Sequence, residues 1–390
     1  MKKKMAWLLT LFMLLFALGA AAEGWYELPE ETEDITLLEA GGAYQLTKNE
    51  TRGLITVKAG KPVRLMLDGK TLTCEQVVVE ENATLILLDS GGGQVAGSLF
   101  AVKNMGTFIM EGGKLLSTGL SSGVYNTGEF TMKGGKISGA TKGVHNEGTF
   151  TMESGEISAD KDGVYNEGTF TMNAGTTVKS YTQYGVYNYG SKSMFTMNGG
   201  TVTSYGTGEF HHGVKNQGTF TMNGGKVAVE KDSAYGVFNE GAFTMHGGLV
   251  EAKGKGGYGV HGGVFTMHGG EVLATGMSGR GVYGGRFTMH GGLIKGRACG
   301  VEVNGQTGIS AGTIEAADGK AVEKGTEEKC ILPGSRKVSG GFDQPSVVIE
   351  RIPQAAAADL PKTGDASMLG AWVCLLAASG AMGMKLRRKR

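Results

Sequence analysis

Three histidines recur at one interval: His246, His268 and His290 each follow a Phe-Thr-Met triplet and stand 22 residues apart. On adjacent rungs of a stacked chain, two imidazoles could share a zinc at ~2.0–2.1 Å. The first and third would lie two rungs apart, roughly 9–10 Å. A three-histidine site is therefore strained, and a polar, pH-responsive stripe is the plainer expectation. A second row reads Tyr125, His145, Tyr165, Tyr187, Lys215, Phe238, His261 and Tyr283. Its members follow inward valines and should point outward, a platform on which sugar rings could stack for about 0.5–1.5 kcal/mol each, by analogy with aromatic pairs. Aromatics also suit strands without any ligand. The next residue, Asn126, Asn146, Asn166, Asn188, Asn216 and Asn239, falls at a corner. Amides stacked there satisfy one another and the backbone of the bend.

Cleavage of polysaccharide needs clustered acids at set separations. Between residues 90 and 330 the aspartates are Asp160, Asp162, Asp232 and Asp318, none with a second aspartate in register one repeat away. Glu129, Glu147 and Glu167 occupy variable turn positions. The longest connection between repeats, Thr203 to His212, carries Tyr205, Glu209, Phe210 and two histidines, and suits a binding edge better than a catalytic centre. Residues 254–259 match a dinucleotide glycine pattern only because glycine is abundant, and no helix follows.

The rows exist because the chain repeats. From about Met105 to Ile294 the pattern Gly-Val-Tyr-Asn-x-Gly-x-Phe-Thr-Met-x-Gly-Gly-x-Ile recurs, with triplets at Phe130, Phe150, Phe170, Phe195, Phe220, Phe243, Phe265 and Phe287. Spacings of 20–25 residues mark a solenoid. Sixty-nine glycines exclude helices, and strand alternation puts Phe130 and Met132 on one face with Thr131 on the other. Three short strands per turn predict an all-β, right-handed parallel β-helix of about twelve coils. Leucine-rich and hexapeptide solenoids lack their consensus here. Caps are expected at 23–54 and 328–353, with repeats over 55–327.

The ends carry a different message. Lys2, Lys3 and Lys4 precede an apolar run and Gly19-Ala20-Ala21-Ala22, the pattern of a secretory leader over residues 1–22. After a short spacer, 354–359, come Leu360-Pro361-Lys362-Thr363-Gly364, an apolar stretch from about Met368 to Met384, and a basic tail. This order closely resembles the cell-wall sorting signal (LPXTG) of sortase-anchored Gram-positive surface proteins. The resemblance implies that a sortase cuts between Thr363 and Gly364, joining Thr363 to a peptidoglycan amine. The membrane would hold the chain only transiently, before sorting. The opening coils, Ile55 to Leu72, resemble those of β-helix surface proteins in Gram-positive gut bacteria, a fold that hosts adhesins, carbohydrate binders, lyases and glycosidases.

Three basic residues leave with the leader and five with the tail, while Asp365 leaves with the anchor; thirty basic and thirty-six acidic residues remain, a net of −6. Nucleic acid is thereby an unsuitable partner, and no cofactor is implied. Cys74, Cys299 and Cys330 lack metal-ligand spacing, and a Cys299–Cys330 bridge stays open. The expected function is a wall-anchored, non-enzymatic adhesin or carbohydrate binder. A polysaccharide lyase or glycoside hydrolase is the alternative, and a structural or protein-binding surface protein the third class. The candidate glycan contacts are Tyr125, Tyr165, Tyr187, Tyr205, Phe238 and Tyr283.

Overall fold

The computed structural model describes residues 24–206, 211–323 and 330–353. The leader, the spacer and the sorting motif lie outside the described residues. Within them, each repeat unit contributes one short strand to each of three sheets. Up to Lys320–Glu323 the strands pair in parallel with the strand three places away in sequence, which is the connectivity of a β-helix. The sheet built on the Phe-Thr-Met triplets has 13 strands and the Val-Tyr-Asn sheet 14. The third has 15, two of them antiparallel additions at the C-terminal end.

About thirteen coils therefore stack, where about twelve were expected. The difference lies at the start: Ile35–Leu38, Ala43–Gln45 and Glu50–Thr51 already form a coil, within the segment read as a cap. Leu38 and Tyr44 enter the core there although no triplet announces them. At the other end Ser346–Arg351 lies antiparallel on Gly312–Ala316, and Ser335–Gly340 pairs outside it. This hairpin covers the last strand edge of the third sheet.

Alternation sets the core. Phe130 and Met132 are 1% and 0% exposed while Thr131 between them faces outward, and the pattern recurs in each coil through Phe287. Successive phenylalanine rings from Phe108 to Phe265 stack 4.6–4.9 Å apart, and the last step, to Phe287, is 5.4 Å. Strand spacing of ~4.8 Å dictates this distance, so the hydrogen-bonded ladder aligns the rings and packing fills the gap.

The asparagine row turns inward, as its corner position predicts. Each side-chain amide donates to the Oδ1 of the next, at 2.6–2.8 Å, from Asn104 through Asn239. The same amide also donates to backbone carbonyls of the bend; Asn166 Nδ2 reaches Gly168 O and Met194 O, each at 3.0 Å. Residue 104 begins the ladder one coil earlier than the repeat suggests. The corner that follows each triplet ends in a left-handed glycine, Gly155 and Gly175 included. Gly225 has φ +88°, and a Cβ there would come within 2.7 Å of Met197 Cε.

Candidate functional site

The Val-Tyr-Asn sheet carries the candidate site on its outer face. Its register is unbroken: Tyr125, His145, Tyr165, Tyr187, Lys215, Phe238, His261 and Tyr283 are successive cross-strand partners. From Tyr125 to Tyr187 the rings alternate edge to face, with centroids 5.0–5.2 Å apart. Lys215 interrupts the rings and holds its ammonium 4.8 Å from the Tyr187 centroid and 5.7 Å from that of Phe238. Phe238, His261 and Tyr283 resume the row at 5.2 and 5.4 Å. Seven steps at strand spacing make a face roughly 34 Å long.

A second row runs beside the first, and strict alternation hides it. In Tyr235–Asn239 both Gly236 and Val237 are buried, so two consecutive residues turn inward and Tyr235 emerges on the same side as Phe238. Only glycine can take the extra inward place, because a Cβ on Gly236 would collide with Val250 Cγ1. The residue before each such glycine therefore joins the face. Tyr184, His212, Tyr235 and Tyr258 stack in sequence at 5.6, 4.7 and 4.9 Å. Arg280 continues over Tyr258, 5.7 Å from its centroid. Tyr184 and His212 are buried and brace the outer row, whereas Tyr235 and Tyr258 are partly open. The recurring aromatic-Gly-Val triplet was the available signal.

Burial tunes these groups. Desolvation drives the His212 imidazole down to about 3, with His211 beside it adding to the effect. Desolvation also raises the Tyr187 phenol to about 12. Asp162, in register with Lys142, is pushed up to about 6 by burial, even though Tyr184 N–H donates to it and lysine charges lie nearby. Lys142 itself stands over the Tyr165 ring, its Nζ 3.6 Å from the centroid.

At the N-terminal end of the face, the corner residues Glu147 and Glu167 meet His145. His145 Nε2 lies 3.0 Å from Glu167 Oε1 and 3.6 Å from Glu147 Oε1. Tyr125 OH donates to Glu147 Oε1 at 2.7 Å, a bond that together with burial raises the phenol to about 12. The glutamates looked like variable turn residues; stacking corner on corner is what unites them with the row.

The other candidates lie apart. Tyr205 follows a strand of the third sheet and stacks on Tyr181 at 6.0 Å. Four residues of its loop, 207–210, fall outside the described residues. His246, His268 and His290 stack nearly face to face at 4.9 and 5.0 Å. Parallel rings send their in-plane lone pairs side by side, not to one point, and His290 Nδ1 is taken by Ser310 Oγ at 2.8 Å. Cys299 and Cys330 are buried thiols; Cys299 Sγ donates to Val301 O at 3.2 Å.

Comparison of the chain with protein-family models, curated proteins and solved structures found no match.

Proposed function

We propose that this chain is a cell-wall-anchored surface protein that binds carbohydrate without cleaving it. The observation that carries the binding half is the double row of rings, in register, on one face of a rigid stack. Flat rings spaced one strand apart suit the apolar faces of pyranose sugars. Polar rim groups, the tyrosine hydroxyls and Lys215, suit their hydroxyls. Anchoring rests on the resemblance of residues 360–390 to a sorting signal, with sortase as processing partner and peptidoglycan as covalent partner through Thr363.

A polysaccharide-cleaving enzyme is the second reading, and Asp162 is the group that favours it. A carboxyl held near pKa 6 on an aromatic face is the kind of group that serves as a general acid. Burial beside Tyr184 by itself accounts for the raised pKa, with no catalytic role required.

A broad glycan array tests the proposal. The full-length chain should retain a defined set of glycans, and a variant with Tyr125, Tyr165 and Tyr187 changed to alanine should lose them. Absence of any retained glycan would overturn carbohydrate binding. Shortening of a retained oligosaccharide, prevented by Asp162→Asn, would establish the enzyme instead.

A further inference from the structure

His145, Glu147 and Glu167 present one imidazole nitrogen and two carboxylate oxygens that all lie within 4.8 Å of one another. A tetrahedral zinc with ligands at ~2.0–2.1 Å requires ligand atoms roughly 3.3 Å apart. Two sides of the triangle, 3.0 and 3.6 Å, already bracket that value, and the third closes by a rotation of exposed glutamate side chains. We propose that these three residues form a site for a divalent cation of the zinc class, open to solvent on its fourth position.

Three observations lead there. First, the corner backbone places Glu147 and Glu167 one coil apart, since Glu147 N donates to Asn126 O and Glu167 N to Asn146 O. Like charges stacked on adjacent rungs repel, and the equivalent residues one coil before and after this pair are Thr127 and Tyr189. The two carboxylates are thus a local concentration of negative charge with the imidazole between them. Second, His145 is held in place from both sides by Tyr125 and Tyr165, with centroids 5.1 and 5.0 Å away, so its Nε2 is fixed towards the carboxylates. Such orientation of the first ligand shell by its surroundings favours binding. Third, the donor set selects the ion. An imidazole suits zinc and its neighbours, whereas calcium takes six to eight oxygens. Tyr125 OH, bonded to Glu147 Oε1, supplies the outer partner that aims that carboxylate.

The site stands independently of carbohydrate binding, because its probe is the metal alone. Zinc chloride is titrated by calorimetry into the full-length chain after removal of bound metal. One equivalent should bind. Loss of a mere outer partner commonly costs about 10–100-fold in metal affinity and loss of a ligand costs at least as much, so His145→Gln and Glu167→Gln should each weaken binding by roughly tenfold or more. His268→Gln, in the other imidazole row, should leave it unchanged. Glu147→Gln should also raise the thermal midpoint of the metal-free chain by relieving repulsion, while abolishing the rise that zinc produces in the parent. Failure of the parent to take up zinc stoichiometrically would overturn the site, as would uptake undiminished in both ligand variants. Stoichiometric calcium uptake with none of zinc would overturn the assignment of the ion.

Discussion

The His212 imidazole lies flat against the Tyr235 ring, 4.7 Å between centroids and 5° from parallel. The two residues sit one coil apart and each precedes a Gly-Val pair. Their contact exists because the intervening glycines let two consecutive residues turn inward. The aromatic face therefore depends on positions that carry no side chain at all.

Gly236→Ala tests that dependence. The added methyl meets Val250 Cγ1 and the Gly259 carbonyl, and overpacking of this kind costs about 1–3 kcal/mol. Denaturant unfolding should show that loss, and the near-ultraviolet dichroism of the tyrosine stack should fall with it. An alanine that is stable with the spectrum unchanged would contradict the account of the doubled inward pair.

The asparagine ladder predicts unequal costs along its length. Asn166→Ala leaves Asn188 Oδ1 without its donor and removes the amide's bonds to the carbonyls of Gly168 and Met194, while Asn146 Nδ2 loses its ladder acceptor but keeps Gly148 O and Thr169 O. Buried groups left unsatisfied cost about 1–3 kcal/mol each, so a loss of about 2–4 kcal/mol is expected once relaxation is allowed. Asn104 ends the ladder, and its Oδ1 has no partner. Asn104→Ala should be milder by about 1 kcal/mol or more, as measured by chemical denaturation.

Acid and base should strain different residues. His212 is depressed to about 3 in the folded chain, so its contribution is present above pH 6.5 and lost as pH falls through that window. Asp162 is raised to about 6, so its contribution is present below pH 3.8 and lost as pH rises through 6. His212→Phe should flatten the stability profile between pH 6.5 and 3. Asp162→Asn should stabilise the chain at pH 8 by about 2–3 kcal/mol, with the gain vanishing near pH 3. Thermal midpoints across pH for the parent and both variants check these signs.

Anchoring has its own test. Replacing Thr363 by alanine keeps the backbone carbonyl but removes the threonine side chain that the sorting resemblance requires for recognition. In a sortase-bearing Gram-positive host the chain should then leave the muramidase-released wall fraction and appear in the membrane and medium. A wall fraction unchanged by the substitution would refute the anchoring proposal.

Much of the architecture was legible because the period was. An interval of 20–25 residues, with Phe and Met two apart, implies parallel rungs with Phe on Phe, and Tyr125 on His145 follows from the same register. The asparagine ladder was legible for the same reason. The second row was not, since an uninterrupted alternation would have sent Tyr235 inward, whereas Gly236 resets it. Glu147 and Glu167 were hidden because turn residues have no side-chain period of their own; only the stacked corner brings them to His145. Tyr205 and the three histidines show the converse. Composition and spacing marked them, but one lies by another sheet and the others stack their rings in parallel.

The central claim is that the face carrying Tyr187, Lys215 and Phe238 binds carbohydrate. Its most direct test is calorimetric titration of the strongest array ligand into three full-length chains: the parent, Tyr187→Ala with Phe238→Ala, and Thr196→Ala with Thr221→Ala on the triplet sheet. The account predicts roughly tenfold or greater loss of affinity in the first pair, from two lost stacking contacts, and parental affinity in the second. Equal affinity in all three, or a loss confined to the threonine variant, would contradict it.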